Sequence, residues 1–273
     1  MGRKLSVLGL SIVLVFAGGA GASAHAFSPR ARAEIVRRAL TLMPTGLARQ
    51  LRKHSRALFA GSLEGLVTRS PTGFDALEPG DGDRRLELRV QSAVAKIDAR
   101  RPMSEVARSF GEIALVTCDL SFALNVGPSD PREKSFYADY THFVEAKLSR
   151  MSVTFAGYTD PKLARGEVGA FAREIAQLAR RDYQGVTNSY FPPGRSRLPQ
   201  DFDERSIAFA AASLEVSLAV TATARAWLYA WREAHGDLTG AALVPDAALE
   251  NPFADRDAPD RRARAEAPAR RAR

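Results

Sequence analysis

Cysteine is almost absent from this chain of 273 residues, in which Cys118 is the only one. A single cysteine excludes an intrachain disulfide, and it also excludes zinc sites that are built from several thiolates. Cys118 lies among apolar residues in the middle of a predicted helix, where a cysteine usually acts as a small hydrophobic side chain. We therefore expect it to be buried and not to act as a nucleophile.

Histidine is also scarce. Of the four histidines, only His54, His142 and His235 follow residue 26, and they lie on three separate segments. We interpret His142, which precedes Glu145 by three residues, as a residue on the polar face of its helix. The signature motifs of α/β-hydrolases, P-loop nucleotidases and Rossmann dinucleotide-binding proteins are absent as well. The sequence thus excludes several common enzyme classes.

Residues 1–26 have the three parts of a secretory signal peptide. Two basic residues precede an apolar run at 5–17, and the small-residue sequence A-H-A at 24–26 resembles a cleavage site. A membrane anchor is the alternative, but the apolar run is shorter than the roughly 20 residues that a span requires. We expect cleavage between Ala26 and Phe27 and a mature protein in the periplasm or outside the cell.

Positive charge is concentrated at the C-terminus. The chain has a formal net charge of +8, and its last 18 residues contain seven arginines and three acidic residues. Because this Ala/Pro/Arg-rich segment has no apolar period, we expect residues 252–273 to form a disordered tail. The tail could attract phospholipid or another anionic envelope surface, and we expect no specific nucleic-acid partner. A solvated tail without a partner is the alternative.

Helical periodicity dominates residues 27–251, which we assign to one helical domain. Only residues 151–158 have the alternation that is typical of a strand. The pattern predicts an all-α fold, a compact bundle of several helices. The longest predicted helix runs from about Asp203 to His235. Because its middle is apolar nearly all round, we expect it to be the central buried helix.

Local signals predict where several helices begin and end. Pro44 ends the first helix, and a second helix is predicted from Thr45 to Leu63. Residues 70–83 form a predicted loop that closes with a plain turn at Asp81-Gly82-Asp83. Glu133 is predicted at the third position of its helix. Three helix starts are marked by an N-cap residue and a proline, namely Ser28-Pro29, Asp130-Pro131 and Asp160-Pro161.

An isolated carboxylate lies in the predicted helix 104–125. Glu112, Leu115 and Asp119 are spaced by three and four residues, so they share one helix face, and Asp119 is surrounded by apolar residues. An ionised carboxylate is costly to bury unless a cation, a metal or several hydrogen-bond donors meet it. The helix therefore predicts a site, or what remains of one, at Asp119. The alternative is that Asp119 faces solvent or a loop.

Four segments resemble, in the same order, parts of one known superfamily. They are RAEIVRRALTLM at 32–43, YADYTHFVEAKL at 137–148, ARRDYQGVTN at 179–188 and WLYAWREAHGD at 227–237. Over about residues 27–237 the chain resembles the bacterial zinc-dependent phospholipase C and fungal single-strand nuclease superfamily. This resemblance implies a helical fold and a trinuclear zinc site that hydrolyses phosphodiesters.

The resemblance also implies which positions would hold zinc. An N-terminal Trp, which binds through its backbone, and a His five residues later match Phe27 and Arg32. The family's H-x3-D-x5-H motif matches Leu115, Asp119 and Asn125, and its second His-x3-Glu pair matches Tyr137 and Thr141. Of these five positions, only Asp119 keeps the residue type that the motif requires. The implied vestigial positions of a metal site are Phe27, Arg32, Leu115, Asp119, Asn125, Tyr137 and Thr141.

These substitutions predict the loss of metal chemistry. A guanidinium stays protonated and cannot ligate zinc. We predict that the side chain of Arg32 fills the metal space and pairs with Asp119. The sequence thus favours an exported, non-catalytic helical domain with a degenerate metal site and no cofactor. The alternative is a metal-dependent phosphodiesterase of the phospholipase C or nuclease type, with zinc held by the Phe27 backbone, Asp119, Asn125 and Glu64.

Overall fold

The computed structural model describes residues 26–63, 81–128, 132–191 and 202–240. Within these ranges the chain forms helices and no strand, which confirms the all-α prediction. The helices are α1 (Pro29–Thr41), α2 (Thr45–Lys53), α3 (Ser55–Leu63), α4 (Asp81–Asp98), α5 (Met103–Leu120), α6 (Ala123–Val126), α7 (Glu133–Lys147), α8 (Pro161–Ala164), α9 (Val168–Tyr190) and α10 (Ile207–Glu233).

Three of the helix starts have side-chain caps. The Ser28 hydroxyl accepts a hydrogen bond from the amide of Ala31 at the start of α1. Asp160 accepts hydrogen bonds from two amides of α8, and Ser206 accepts one from the first turn of α10. These oxygens satisfy amides that have no partner within the helix. The predicted starts at Ser28-Pro29 and Asp160-Pro161 are therefore confirmed, and the start predicted at Asp130-Pro131 lies outside the described residues.

Other boundaries differ from the predictions. The predicted helix from Thr45 to Leu63 is two helices, because the chain turns at His54. The predicted turn at 81–83 is the first turn of α4, where acidic side chains are stabilised by the positive end of the helix dipole. Glu133 is the first residue of α7 rather than its third, and its carboxylate is buried and accepts a hydrogen bond from Tyr183. The predicted helix 104–125 is interrupted at Ser121 and resumes as α6.

The core forms around α5 and α10. Most residues of both helices are buried, as the apolar middle of α10 predicted. Trp227 of α10 is fully buried and donates its indole N–H to the carbonyl of Phe110 on α5, at 2.7 Å. Helix α10 is long and apolar enough to cross a membrane, and 61% of its most apolar window is buried inside the protein. That burial is what a core helix requires.

Two glycines bring α3 directly against α5. A Cβ atom added at Gly61 would lie 2.1 Å from the carbonyl oxygen of Arg108, and one added at Gly111 would lie 2.0 Å from that of Leu58. Such distances are too short for any side chain, so the two backbones touch. This contact fixes the position of α5, which carries Asp119.

Residues 151–158 form an irregular segment on the surface of α10. The Ser217 hydroxyl accepts from the amide of Thr154, and the Arg225 guanidinium donates to the carbonyls of Ala156 and Gly157. The strand-like alternation of this segment therefore corresponds to an irregular segment that side chains of α10 hold in place. It is not part of a sheet within the described ranges.

Candidate functional site

Arg32 lies on α1 with its side chain only 1% exposed, and its guanidinium is directed into the interior. Its Nε donates to the carbonyl of Phe27 at 3.0 Å, and one terminal nitrogen donates to Oδ1 of Asp119 at 2.6 Å. The other terminal nitrogen makes a longer contact of 3.4 Å to the carbonyl of Leu115. The predicted pairing of Arg32 with Asp119 is therefore present.

Asp119 lies near the end of α5, and its side chain is also 1% exposed. While Oδ1 faces Arg32, Oδ2 lies 4.0 Å from a guanidinium nitrogen of Arg85 on α4, a side chain that is 30% exposed. The aspartate thus faces two cations from two other helices. The alternative expectation, that Asp119 faces solvent, is wrong. No sequence pattern indicated Arg85, since that contact depends on how α4 packs against α5.

Asn125 and Tyr137 extend this network. The Tyr137 hydroxyl donates to Oδ1 of Asn125 at 2.6 Å, and the Asn125 amide donates to the main-chain carbonyl of Asp119 at 3.3 Å. Thr141 is not part of it through its side chain, because its hydroxyl donates to the carbonyl of Tyr137 on its own helix. We use the term arginine network for Phe27, Arg32, Asp119, Asn125 and Tyr137.

Burial and charge act in opposite directions on the Arg32 guanidinium. Desolvation lowers the pKa of Arg32, but the charge and hydrogen bond of Asp119, together with Cys118 and Tyr137, raise it, and the net pKa lies above its ordinary value. Arg32 is therefore a permanent cation in the interior. The neighbouring thiol of Cys118 is fully buried, and desolvation raises its pKa to about 12 although the Arg32 charge opposes this. Cys118 is neutral, as the sequence predicted for a small buried side chain.

Aromatic rings enclose the network on one side. The ring of Phe122 lies 5.1 Å from that of Phe27, 5.7 Å from Tyr137 and 5.6 Å from Tyr140, measured between centroids. Phe27 and Phe122 have no exposed surface. These rings exclude water from the ion pair, which strengthens its electrostatic attraction.

A second buried polar cluster lies beyond Phe122. Glu215 in the middle of α10 is fully buried, and its Oε1 accepts only one amide hydrogen bond, from Ala123 at 3.3 Å. Its Oε2, the Tyr140 hydroxyl and the Thr187 hydroxyl complete no hydrogen bond. Desolvation raises the pKa of Glu215 well above its ordinary value, and the charge of Asp182 adds to the effect. Sequence reasoning missed Glu215, although a lone acidic residue in an apolar helix is the same signal that identified Asp119.

The donor set in the arginine network does not fit zinc. Zinc sites in proteins use imidazole, thiolate and carboxylate groups. Here one carboxylate faces a guanidinium, the Phe27 carbonyl accepts from the same guanidinium, and the Asn125 oxygen accepts from Tyr137. In the part of the chain that the structure describes, no three His, Cys, Asp or Glu residues could hold a metal together. His142 is exposed on α7, and Glu64 lies outside the described residues.

Comparisons with protein-family models, with curated proteins and with solved structures found no match to this chain. Its function must therefore be argued from its own residues.

Proposed function

We propose that this chain is an exported, non-catalytic helical domain in which a buried arginine occupies the place of the metal site in the zinc-dependent phospholipase C and nuclease superfamily that its sequence resembles. The observation that carries the proposal is the position of the Arg32 guanidinium. It contacts Phe27, Leu115 and Asp119 at once, and these are three of the positions that the resemblance marks as metal ligands.

A guanidinium at this point supports a structural role. It supplies positive charge to a buried carboxylate, as a bound cation would, but it has no open coordination position and cannot activate water. Its hydrogen bonds also connect the segment before α1 to α5. The network therefore holds the N-terminal helix to the core.

The alternative function, a phosphodiesterase with fewer metals, requires the same atoms to do something else. The Phe27 carbonyl, the Asp119 carboxylate and the Asn125 amide oxygen each accept a hydrogen bond within the network. A metal would have to displace Arg32, which would leave a buried cation close to a second cation. No contact of these three oxygen atoms therefore favours the phosphodiesterase function.

Metal analysis of the purified secreted protein tests the proposal. We expect no zinc in stoichiometric amount, no chelator-sensitive cleavage of a chromogenic phosphodiester, and no change in melting temperature when a chelator is added. Mass spectrometry of the same sample should give Phe27 as the first residue. Stoichiometric zinc, together with hydrolysis that is lost on chelation and in Asp119→Asn, would establish the phosphodiesterase instead.

A further inference from the structure

One surface of the protein is strongly basic, and its charge comes from the folded domain and not from the tail. Between Ile35 and Leu63 the chain contains six lysine and arginine residues and no acidic residue. Arg37 and Arg38 pair with Glu34 on α1, just before this stretch. The remaining four cations are on α2 and α3.

Three of these cations lie on one side of α2, and the fourth follows at the start of α3. The buried face of α2 consists of Leu47, Ala48 and Leu51. At 100° per residue, positions 49, 52 and 53 point away from that face, and Arg56 is exposed in the first turn of α3. We use the term basic stripe for the exposed residues Arg49, Arg52, Lys53 and Arg56.

The basic stripe has no internal neutralisation. Salt bridges within the described ranges involve none of its four residues, whereas many other arginines of the domain pair with a carboxylate. The positive field of the stripe is thus directed to solvent. Such a field attracts an anionic partner over about one Debye length, roughly 8 to 10 Å at physiological salt.

An apolar groove lies beside the stripe, between α1 and α3. It has a volume of about 430 Å³ and is lined by Leu40, Leu58 and Phe59, with Arg37 and Arg52 at its edge. Phe59 is half-buried, and the Arg37 guanidinium lies 5.9 Å from the centre of its ring. Cations next to an apolar cavity match an amphiphile that has an anionic head and a hydrocarbon chain.

We propose that the basic stripe docks the domain onto a bilayer surface that is rich in acidic phospholipid. The four cations contact phosphate headgroups, and the groove accepts part of an acyl chain. The composition favours lipid over nucleic acid. Recognition of single strands uses exposed aromatic rings on which bases stack, and Phe59 is the only aromatic residue between Ile35 and Leu63.

Vesicle co-sedimentation of the full chain tests this proposal. The probes are vesicles of phosphatidylcholine alone and vesicles of equal parts phosphatidylcholine and phosphatidylglycerol. We expect binding only to the mixed vesicles, and we expect it to weaken as salt is raised. Changing all four stripe residues to Gln should weaken this binding by at least about a hundredfold, because each cation near an anionic surface contributes about fivefold.

A matched variant controls for net charge. Arg84, Arg100, Arg181 and Arg205 are exposed elsewhere on the domain, and changing all four to Gln removes the same charge. This control should keep most of the binding, and both variants retain the C-terminal tail. Circular dichroism verifies that each variant is folded. Equal losses in the two variants, binding to phosphatidylcholine alone, or tighter binding to a single-stranded oligonucleotide than to the mixed vesicles would each overturn the proposal.

Discussion

The arginine network and the cluster around Glu215 are two buried polar regions that are separated by a single ring, that of Phe122. In the first, the carboxylate of Asp119 is 2.6 Å from a buried guanidinium and has a second cation 4.0 Å away. In the second, the carboxyl of Glu215 has one amide at 3.3 Å, and no cation contributes to its pKa. The core thus pairs one buried carboxylate with a cation, whereas burial raises the pKa of the other carboxyl. Burial alone therefore does not decide how the protein accommodates an acidic side chain.

The ion pair should give the largest effect when one partner is removed. Arg32→Ala or Asp119→Ala leaves a charge buried without its partner, which costs on the order of 3 to 5 kcal/mol of unfolding free energy. The double variant Arg32→Met/Asp119→Leu should lose much less than the sum of the two single changes. Urea denaturation measures all of them.

A solvent-exposed pair provides the control for this experiment. Arg101, just before α5, and Glu105 in the first turn of α5 lie 3.0 Å apart, and Arg101→Ala should cost at most about 1 kcal/mol. If Arg32→Ala costs no more than this control and shows no coupling to Asp119→Ala, the arginine network does not stabilise the fold.

The pH dependence of stability should distinguish the second region from the first. A carboxyl whose pKa is raised on folding binds more protons in the folded state, so its contribution to stability falls as pH rises above the ordinary carboxyl pKa toward the folded value. The wild type should therefore lose stability relative to Glu215→Gln over this range, with a slope of at most about 1.4 kcal/mol per pH unit. Denaturation of both proteins from acidic to alkaline pH measures the difference.

Two other groups face Glu215 and must be included in that comparison. Desolvation also raises the pKa of Asp182. Desolvation raises the pKa of Tyr140 as well, and the nearby Glu215 raises it further. Asp182→Asn is the control variant that keeps Glu215. A pH-independent difference between wild type and Glu215→Gln would mean that Glu215 is ionised in the folded protein.

The smallest expected effect comes from comparing two tyrosines. The Tyr137 hydroxyl donates to Asn125 in the arginine network, whereas the Tyr140 hydroxyl faces the carboxyl of Glu215 without a well-formed hydrogen bond. Tyr137→Phe should therefore cost about 1 kcal/mol, and Tyr140→Phe should cost less than this. Thermal denaturation of the two variants is sufficient. A larger loss of stability for Tyr140→Phe than for Tyr137→Phe would mean that the Tyr140 hydroxyl makes the stronger hydrogen bond of the two.

Parts of the fold and site could be predicted because they follow from local rules. The helical period identified Asp119 as a buried carboxylate, whereas its pairing with Arg32 was predicted only from the resemblance. The cap at Ser28 and the central position of α10 followed from capping chemistry and from an apolar pattern. The assignment of the positions to a former metal site stays a prediction, because none of these contacts depends on ancestry.

Other contacts could not be predicted, because they depend on packing between distant segments. Arg85 reaches Asp119 only through the way α4 lies on α5, and the hydrogen bond from Tyr137 to Asn125 joins α7 to α6. The break at His54 has no proline or glycine to mark it. Glu215, in contrast, could have been predicted, because it is an isolated acidic residue in the apolar middle of α10.

The cation at the centre of the arginine network belongs to a side chain, so the protein cannot lose it as it could lose a bound ion. A bound ion can be captured by competitors, exchanged for another element or missing when the chain first folds. A guanidinium is incorporated at synthesis, in fixed proportion and with fixed identity. Scarcity of metal ions in the surroundings cannot deplete it, and only mutation can remove it.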